Sequence, residues 1–384
     1  WGWGCEGRVA PLPRGEGEAA MRLSELATPC LVLDRCILAR NIGVMASRLA
    51  SFGVPLRPHM KTAKSIDVAR LAIDGQPGGI TVSTLAEAEY FAGHGVTDIL
   101  YAVGITPQKL DQVARLNGAG AGVMVLTDDL DTADAIAAQE RPPRVLIEID
   151  SGEGRGGLAP DDDLLLEIAS RLGTHLAGVL THAGHSYAAR SVDDIARIAE
   201  DERAAVVRAA ERLRAGGYSS PIVSMGSSPT ALHARRLDGV TEVRAGVYMF
   251  GDLFQAEIGT HDLDAVALTV LTSVIGRRGR LLVDAGGLAL SKDRSTADAP
   301  KDYGFGLVLD MAGKRSHGDA IVRRAYQEHG VVEADRGFPL DLPVGARLRI
   351  APNHTCMTAA AHDRYFVVEG SDEVVAIWHR ANGW

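Results

Sequence analysis

Residues 145–181, VLIEIDSGEGRGGLAPDDDLLLEIASRLGTHLAGVLT, contain the pattern that decides the fold. A short apolar run at residues 145–149 is followed by a segment of helical period at 164–172 and by a second short run at 177–181. A strand, an amphipathic helix and another strand in this order are typical of a βα unit in a parallel sheet. The segment therefore predicts an α/β architecture.

The same unit recurs on both sides of this segment. Short apolar runs predict strands at 56–59, 80–83, 99–102, 123–126, 145–149, 177–181, 222–225 and 243–249. Segments of helical period lie between them, for example at 85–92, 130–138 and 192–213. Eight strands are the number of a closed (β/α)8 TIM barrel, which we predict, although a doubly wound sheet shares the alternation.

After residue 262 the pattern changes to strands and turns. Apolar runs at 266–275, 280–283, 303–309, 347–350, 365–368 and 374–378 are separated by Gly and Pro. We therefore predict a barrel over residues 21–262 and a mostly β domain over 263–384. Residues 1–20 carry glycines, prolines and scattered charges without a continuous apolar core, and we interpret them as a leader or a cloning remnant.

Composition excludes several classes of protein. The 384 residues are 46% hydrophobic and 23% charged, which fits a globular protein with one large and one smaller domain. The 40 Lys and Arg residues against 49 Asp and Glu residues give a net charge of -9, which argues against binding to nucleic acid or to an acidic membrane. Apolar runs fall far short of the roughly 20 residues of a membrane span. Four cysteines are too few for a disulfide framework, so we expect a cytoplasmic protein.

The loop after the first predicted barrel strand carries a candidate nucleophile. Residues 57–62 read RPHMKT, so Lys61 comes directly after the strand end, where barrels build their active sites. A lysine near other cations loses its proton below the usual pKa of roughly 10.4, and its amine then attacks an aldehyde to form a Schiff base. A solvated surface lysine is the alternative.

The loop after the seventh predicted strand is a candidate phosphate site. Residues 224–230 read SMGSSPT, with Pro229 placed to open a helix. Backbone N–H groups and hydroxyls at such a helix start bind phosphate, and barrels often bind phosphate after strands seven and eight. A serine cap without a ligand is the alternative. The next strand adds Arg244 and Tyr248.

A glycine-rich segment at residues 152–157, GEGRGG, matches a dinucleotide fingerprint by its spacing alone. Three carboxylates follow at 161–163, where a helix would begin, and they would repel a pyrophosphate. We therefore reject a nicotinamide cofactor and keep Arg155 as a candidate cofactor contact.

Two further segments carry candidate functional side chains. Residues 181–187, THAGHSY, place His182 and His185 in one loop, where either could act as a general base or stack on a ring, or be structural. In residues 352–356, PNHTC, an extended chain would place His354 and Cys356 on one face, whereas a helix would separate them. An imidazole and a thiolate suit zinc or a neighbouring transition metal and leave coordination positions free. A buried Cys beside a surface His is the alternative.

A Schiff-base lysine and a phosphate site in one barrel together suggest pyridoxal 5'-phosphate (PLP). The segments 57–62, 181–187, 226–230, 242–248 and 352–356, in this order, resemble the D-threonine aldolase and D-serine dehydratase family. These are fold-type III PLP enzymes related to alanine racemase. The resemblance runs from about residue 27 to the C-terminus.

The resemblance implies a role for each candidate residue. Lys61 is implied to form the Schiff base with PLP, and His354 and Cys356 to hold a divalent metal beside it, which we expect to be Zn, with Mn, Mg or Co as alternatives. The other implied cofactor contacts are Arg155, His182, Tyr187, Gly226, Ser227, Thr230 and Tyr248. A homodimer is also expected from the resemblance.

The same resemblance implies a reaction. Members with Cys at the second metal position resemble the D-serine and D-threo-3-hydroxyaspartate dehydratases, whereas the aldolases more often have Asp there. We therefore expect a lyase that dehydrates D-serine or D-3-hydroxyaspartate to a keto acid and ammonia, with Lys61 removing the Cα proton. A D-threonine aldolase, with His59 or His185 as base and glycine and an aldehyde as products, is the alternative. An amino-acid racemase or a non-catalytic protein of PLP homeostasis is disfavoured by the His354 and Cys356 pair.

Overall fold

The computed structural model describes residues 21–335 and 340–384. It divides into two compact units. The barrel unit is Val44–Gly246 with Ala381–Trp384, and the sheet unit is residues 21–43 with Val247–Arg380. The predicted leader or remnant at residues 1–20 lies outside the described residues.

The strands and helices follow one another in the alternating order predicted for the first part of the chain. The strands are β1 (Cys30–Asp34), β2 (Leu56–Pro58), β3 (Ile80–Val82), β4 (Ile99–Gly104), β5 (Val123–Thr127), β6 (Val145–Ile149), β7 (Leu176–Thr181), β8 (Ile222–Met225), β9 (Glu242–Ala245), β10 (Leu268–Gly276), β11 (Leu281–Val283), β12 (Leu307–Leu309), β13 (Ile321–Ala325), β14 (Gly330–Glu333), β15 (Arg347–Ala351), β16 (Arg364–Val368) and β17 (Ala376–His379). The α-helices are α1 (Arg35–Ala50), α2 (Ile66–Ile73), α3 (Leu85–Gly93), α4 (Leu110–Gly118), α5 (Leu130–Ala137), α6 (Leu164–Leu172), α7 (Val192–Ala215), α8 (Ser228–His233), α9 (Leu253–Glu257), α10 (Gly287–Leu290) and α11 (Thr355–Ala359).

The barrel unit is built on eight parallel strands in the order β2-β9-β8-β7-β6-β5-β4-β3. All eight barrel strands predicted from the sequence are confirmed. The two ends of this sheet meet at a single bridge between His59 and Thr81, where the Met60 N–H donates to the Thr81 carbonyl at 2.8 Å. The predicted (β/α)8 barrel is therefore confirmed, and it closes next to Lys61. Because the strands are parallel, the loops after them lie at one end of the barrel.

The spacing of apolar residues explains why the helices form where they do. In α6 the buried residues Leu165, Ile168, Ala169 and Leu172 recur every three or four positions, which puts them on one face of the helix. The strands are buried along almost their whole length, as expected for a parallel sheet covered by helices.

The sheet unit contains nine strands in the order β11-β14-β13-β12-β15-β10-β1-β16-β17. All its pairings are antiparallel except that between β1 and β16. Each of the six strands predicted after residue 262 overlaps a strand of this sheet, whereas β13 and β14 were not predicted. A core cluster that includes Leu253, Tyr303, Leu307 and Ile321 packs within this unit.

The N-terminal strand β1 is the main difference from the predicted organisation. It precedes the barrel in the sequence, yet it lies between β10 and β16 in the other sheet, and all five of its residues are buried. Residues 21–43 and 247–262 therefore group with the sheet unit, whereas we predicted 21–262 as the barrel domain. The compact units and the predicted domains thus differ in their limits.

The helices of the described residues differ from membrane-spanning helices in length or in apolar character. Within residues 21–335 and 340–384, no helix combines the length and the apolar character that crossing a bilayer requires. The longest, α7, has 24 residues and carries charged side chains along its length.

Candidate active site

The loop that follows β2 places Lys61 at the mouth of the barrel. Lys61 follows the strand end, as predicted, and its side chain is exposed. The loop turns back at Lys64, whose left-handed φ of 46° lets its N–H donate to the Met60 carbonyl at 2.7 Å. The Lys64 Nζ atom lies 3.2 Å from Oε1 of the buried Glu87, and Oε2 of Glu87 accepts from the Ser83 N–H at 3.1 Å. Lys61 thus stands on a loop that is fixed on both sides.

Two histidines lie within electrostatic reach of Lys61. Burial and then the Lys61 charge lower the pKa of His182 to about 3, and the same two causes lower the pKa of His59 well below its usual value. Arg244 adds to the positive field at both rings. Both imidazoles are therefore neutral near pH 7, and the positive field that acts on them includes the charges of Lys61 and Arg244.

The ring nitrogens of His59 have long contacts within the barrel. Its Nδ1 accepts from the backbone N–H of Lys61 at 3.4 Å, and its Nε2 lies 3.5 Å from the Ser83 hydroxyl. An Nδ1 that accepts a hydrogen bond leaves the proton on Nε2. The predicted base His59 thus has a protein neighbour at each nitrogen.

The helix start predicted after β8 is present as α8. Ser227 caps this helix: its hydroxyl accepts from the Thr230 N–H at 3.2 Å, and its own N–H donates to Thr230 Oγ1 at 3.0 Å. Pro229 lies in the first turn, as predicted. Gly226 has φ +136°, and a Cβ there would lie 2.2 Å from the Arg244 carbonyl oxygen. Only glycine fits this approach of the loop to β9.

The loops after β7 and β8 are joined by buried hydrogen bonds. His182 Nδ1 lies 2.8 Å from the Gly226 carbonyl, and the Ser186 and Ser227 hydroxyls are 2.9 Å apart. Glu202 on α7 is fully buried, and its Oε1 accepts from the N–H groups of Ala183 at 3.0 Å and Gly226 at 2.9 Å. Together these bonds fix the positions of the loops after β7 and β8 relative to each other. Both loops are predicted to contact the cofactor.

Sequence reasoning missed Glu202, although a signal for it was present. In α7 the residues Ile195, Ile198, Ala199 and Val206 form an apolar stripe, and Glu202 stands on that stripe. A carboxylate on the buried face of a helix requires hydrogen-bond partners, because burial raises its pKa and penalises its charge.

His185 and Tyr187 lie on a 3-10 helix, Gly184–Ala188, beside the glycine-rich loop. The His185 ring comes within 3.8 Å of the position a Cβ on Gly152 would take. Its Nδ1 is buried and has no hydrogen-bond partner among the residues that the structure describes. Glu153 accepts from the Gly184 N–H at 3.2 Å, which holds the loop against this helix.

The glycine-rich loop is organised by its own carboxylate. Asp150 Oδ1 accepts from the N–H groups of Gly152, Glu153 and Gly154 at 2.9, 3.0 and 3.1 Å. These amides are the groups that would bind a pyrophosphate, so their occupation by Asp150 supports the rejection of a nicotinamide cofactor.

Arg155, on the same loop, is exposed, with its guanidinium 3.6 Å from Glu153. Its charge contributes, after burial and Lys61, to the lowered pKa of His182. Arg155, the candidate cofactor contact, therefore lies within electrostatic reach of His182.

The barrel unit fits PLP by the kinds of groups that it brings together. An exposed lysine amine suits the aldehyde of the cofactor. The serine and threonine hydroxyls at the start of α8 suit its phosphate, and glycine at position 226 lets the loop before this helix lie close against β9. Tyr248 is assigned to the sheet unit, where it is buried and where burial raises its pKa.

The predicted metal pair straddles the start of a helix. His354 caps α11 with extended backbone angles of φ −136° and ψ 100°, and Cys356 is inside that helix. The expectation of an extended chain through both residues is therefore wrong. The side chains still meet because the helix begins only after His354, and the imidazole forms a hydrogen bond with the Cys356 thiol.

A carboxylate lies behind the imidazole of His354. Asp293 Oδ2 is 3.0 Å from His354 Nδ1. Burial lowers the pKa of His354, but the hydrogen bonds with Asp293 and Cys356 outweigh burial and raise it to about 11. A metal-bound histidine usually donates its second ring N–H to a carboxylate, so this arrangement fits a metal ligand. Over residues 21–335 and 340–384 no group of three or more His, Cys, Asp or Glu side chains that could hold a metal is found.

The sequence was then compared with models of known families. Residues 33–253 match the alanine racemase N-terminal domain, and residues 267–368 match a putative serine dehydratase domain. The chain belongs to the family of the alanine racemase N-terminal domain. The resemblance drawn from the five segments is confirmed, and so is the fold that it implied.

Three curated relatives cover nearly the whole chain. The D-threo-3-hydroxyaspartate dehydratase of Delftia sp. (strain HT23) is 46% identical over 94% of this chain and 99% of its own length. The D-serine dehydratase of Dictyostelium discoideum is 29% identical over 94% and 98%. The 3-hydroxy-D-aspartate aldolase of Paracoccus denitrificans (strain Pd 1222) is 31% identical over 92% of each.

Two solved structures extend the likeness to three dimensions. A cysteine-to-alanine mutant of a D-threo-3-hydroxyaspartate dehydratase, described as metal-free, has a TM-score of 0.91 and 44% identity over 95% of this chain and 100% of that one. The D-threonine aldolase of Filomicrobium marinum has a TM-score of 0.80 and 25% identity over 96% and 98%.

Proposed function

We propose that this chain is a lyase dependent on PLP and a divalent metal, which removes water from D-3-hydroxyaspartate or D-serine and releases a keto acid and ammonia. The observation that carries the proposal is the 46% identity with a D-threo-3-hydroxyaspartate dehydratase over 99% of that protein's length. The D-serine dehydratase of Dictyostelium discoideum supports the same reaction class.

The barrel unit supplies the groups for proton transfer at Cα. PLP, when bound, supplies a conjugated ring that stabilises negative charge at the substrate Cα. Lys61 is the group that removes the Cα proton, because its amine stands on a fixed loop at the mouth of the barrel. His182 is neutral and is held by the Gly226 carbonyl, so it adds no positive charge beside the amine.

The sheet unit supplies the groups for loss of the hydroxyl. His354 and Cys356 would hold the metal, which supplies Lewis acidity toward the β-hydroxyl as a leaving group. The description of the cysteine-to-alanine relative as metal-free supports a cysteine ligand in this family. We propose zinc, because an imidazole and a thiolate are ligands that zinc prefers.

Retro-aldol cleavage to glycine and an aldehyde is the second candidate. It is favoured by the likeness to a 3-hydroxy-D-aspartate aldolase at 31% identity. That reaction needs a base for the β-hydroxyl proton. Of the two bases predicted, His185 is better suited than His59, because its Nδ1 has no hydrogen-bond partner among the described residues.

Several expectations remain part of the proposal. The cofactor contacts at Arg155, Tyr187, Thr230 and Tyr248 and the homodimer are supported by the family resemblance, and the cytoplasmic location is supported by the low number of cysteines. The racemase and the non-catalytic alternatives are disfavoured by the likeness to named dehydratases and aldolases across both units.

The proposal is tested by trapping the cofactor and by identifying products. Borohydride reduction of the PLP-loaded protein, followed by peptide mass mapping, should place the cofactor on Lys61. Lys109, a second lysine of the barrel unit that bonds Tyr101, serves as the internal control and should stay unlabelled. The protein is then incubated with D-serine, D-threonine and D-3-hydroxyaspartate and their L-enantiomers. Keto acid and ammonia from the D-forms support the proposal, and label on another lysine contradicts it.

A further inference from the structure

Asp293 lies behind the predicted metal ligand His354, and no role was predicted for it. Its two carboxylate oxygens have separate partners: Oδ1 accepts from the Ser295 N–H at 2.7 Å, and Oδ2 faces His354 Nδ1 at 3.0 Å. With one oxygen held by the backbone, the other has a fixed direction. The carboxylate is therefore aimed at the imidazole.

The segment that carries Asp293 is tied to the segment that carries His354. The Asn353 amide donates to the Asp293 carbonyl at 3.2 Å and to the Gly304 carbonyl at 2.7 Å. Its Oδ1 accepts from the Thr296 hydroxyl at 3.0 Å. The residue next to His354 thus holds the backbone of Asp293 in place.

The backbone before Asp293 has an uncommon conformation. Ser291, which ends α10, has φ +68°, and among the described residues only Ser291 and Lys64 are non-glycine residues in the left-handed region. Such a conformation is energetically unfavourable and persists where the surroundings enforce it. Lys64 turns the loop of Lys61, and Ser291 turns the chain toward Asp293. The unusual backbone therefore occurs at the two segments to which the proposed function assigns chemistry.

We infer that Asp293 is a positioning residue for the metal site. Its Oδ2 accepts the Nδ1–H of His354, which fixes the ring and its tautomer and leaves the Nε2 lone pair for the metal. This inference rests on the proposed function, because it requires His354 to be a metal ligand. Carboxylates in this position raise metal affinity by about 10–100-fold in other proteins.

The substitution Asp293→Asn separates tautomer control from simple packing. Because the Ser295 N–H fixes an oxygen at Oδ1, the asparagine presents its NH2 to His354 Nδ1. The imidazole then must accept at Nδ1 and carry its proton on Nε2, which is the wrong tautomer for binding a metal. Asp293→Asn should therefore weaken zinc binding about 10–100-fold while the melting temperature stays near that of the unmodified protein. Asp293→Ala should lose as much affinity and also melt at a lower temperature.

The experiment is a competition titration of the PLP-loaded protein against a chromophoric zinc chelator. Asp284→Asn is the matched control, because that carboxylate is half-buried in the same unit and bonds Thr28 and Thr272. It should leave zinc affinity unchanged. Unaltered zinc affinity in Asp293→Asn, or a loss of affinity that follows melting temperature across the variants, would overturn the inference. Complete loss of zinc at every concentration would make Asp293 a ligand and would also overturn it. Failure of the unmodified protein to bind zinc would count against the proposed function instead.

Discussion

The Nδ1 atom of His182 lies 2.8 Å from the carbonyl oxygen of Gly226, and this bond joins the loop after β7 to the loop after β8. A neutral imidazole donates through one nitrogen only, so the bond assigns the proton to Nδ1. Gly226 is thus constrained twice, by this contact and by its close approach to β9.

The substitution Gly226→Ala should destabilise the barrel unit and impair PLP binding. A side chain at φ +136° strains the backbone by about 1–3 kcal/mol, and a Cβ 2.2 Å from the Arg244 carbonyl adds about 1–3 kcal/mol of overpacking. Urea unfolding and a PLP titration measure the two effects. Gly93→Ala at the end of α3, where a Cβ meets nothing within 4 Å, is the control and should not lower stability. Normal PLP affinity in Gly226→Ala would contradict a role of the loop after β8 in binding the PLP phosphate.

Glu202→Ala should weaken PLP binding, although Glu202 lies on helix α7 and not in a loop that is predicted to contact PLP. The substitution leaves the buried N–H groups of Ala183 and Gly226 without their acceptor, at about 1–3 kcal/mol each. Glu200→Ala is the control on the same helix: its partners Arg203 and Arg236 form ion pairs nearer the surface, worth at most about 1 kcal/mol each. Denaturant unfolding measures the stability of both variants, and a PLP titration measures their affinity for PLP. Equal effects on PLP affinity would refute a specific role for Glu202.

The lowered pKa of His182 predicts a pH dependence of stability. Burial and Lys61 lower this pKa to about 3 in the folded, cofactor-free protein, whereas the unfolded chain titrates near 6.5. Between these values the unfolded state binds the additional proton, so the contribution is full above pH 6.5 and is lost as the pH falls toward 3. The loss is about 1.4 kcal/mol for each pH unit in this window.

The substitution His182→Asn tests that pH dependence, because its amide can still donate to Gly226 without titrating. The variant should lose less unfolding free energy between pH 6.5 and pH 4.5 than the unmodified protein. His94→Asn is the control, since His94 Nδ1 bonds the Tyr90 carbonyl at 2.7 Å but the residue is exposed. Parallel pH profiles for His182→Asn and the unmodified protein would show that His182 is not held neutral.

The substitution Cys356→Asp should change both metal preference and product ratio. A carboxylate is a harder ligand than a thiolate, so zinc affinity should fall relative to manganese affinity. By resemblance to the aldolases, the ratio of ammonia to glycine from D-3-hydroxyaspartate should fall as well. Both products are quantified in one reaction. Cys30→Ala, at a buried free cysteine of the same unit, is the control and should leave the ratio unchanged. An unaltered ratio in Cys356→Asp would remove Cys356 as the residue that selects the reaction.

The sequence predicted the barrel well because its signals are local. Each of the eight strands is a short apolar run between helical segments, and each occurs where it was predicted. Strand β1 precedes the first predicted barrel strand, and its partners β10 and β16 lie more than 200 residues away, so no local signal placed it in the second sheet. The turn-rich stretch with β13 and β14 was missed for a related reason, since RR and exposed positions interrupt its apolar pattern.

For the candidate site, the sequence pointed to the proposed functional side chains but not to the residues that hold them. Lys61, His182, His354 and Cys356 lie in short sequence segments whose composition suggests a function. The residues that position them lie in segments without such a pattern. Asp293 reaches His354 across 61 positions, and that distance is closed only by tertiary folding. The metal pair was predicted with the wrong local backbone, because nothing in PNHTC marks where α11 begins.

The central claim is a metal-dependent dehydration on PLP, and product analysis with D-threo-3-hydroxyaspartate tests it most directly. The PLP- and zinc-loaded protein should release oxaloacetate and ammonia in equal amounts. Activity should disappear with a chelator and return with added zinc. Glycine and glyoxylate as the products, or undiminished turnover in the presence of the chelator, would contradict the claim.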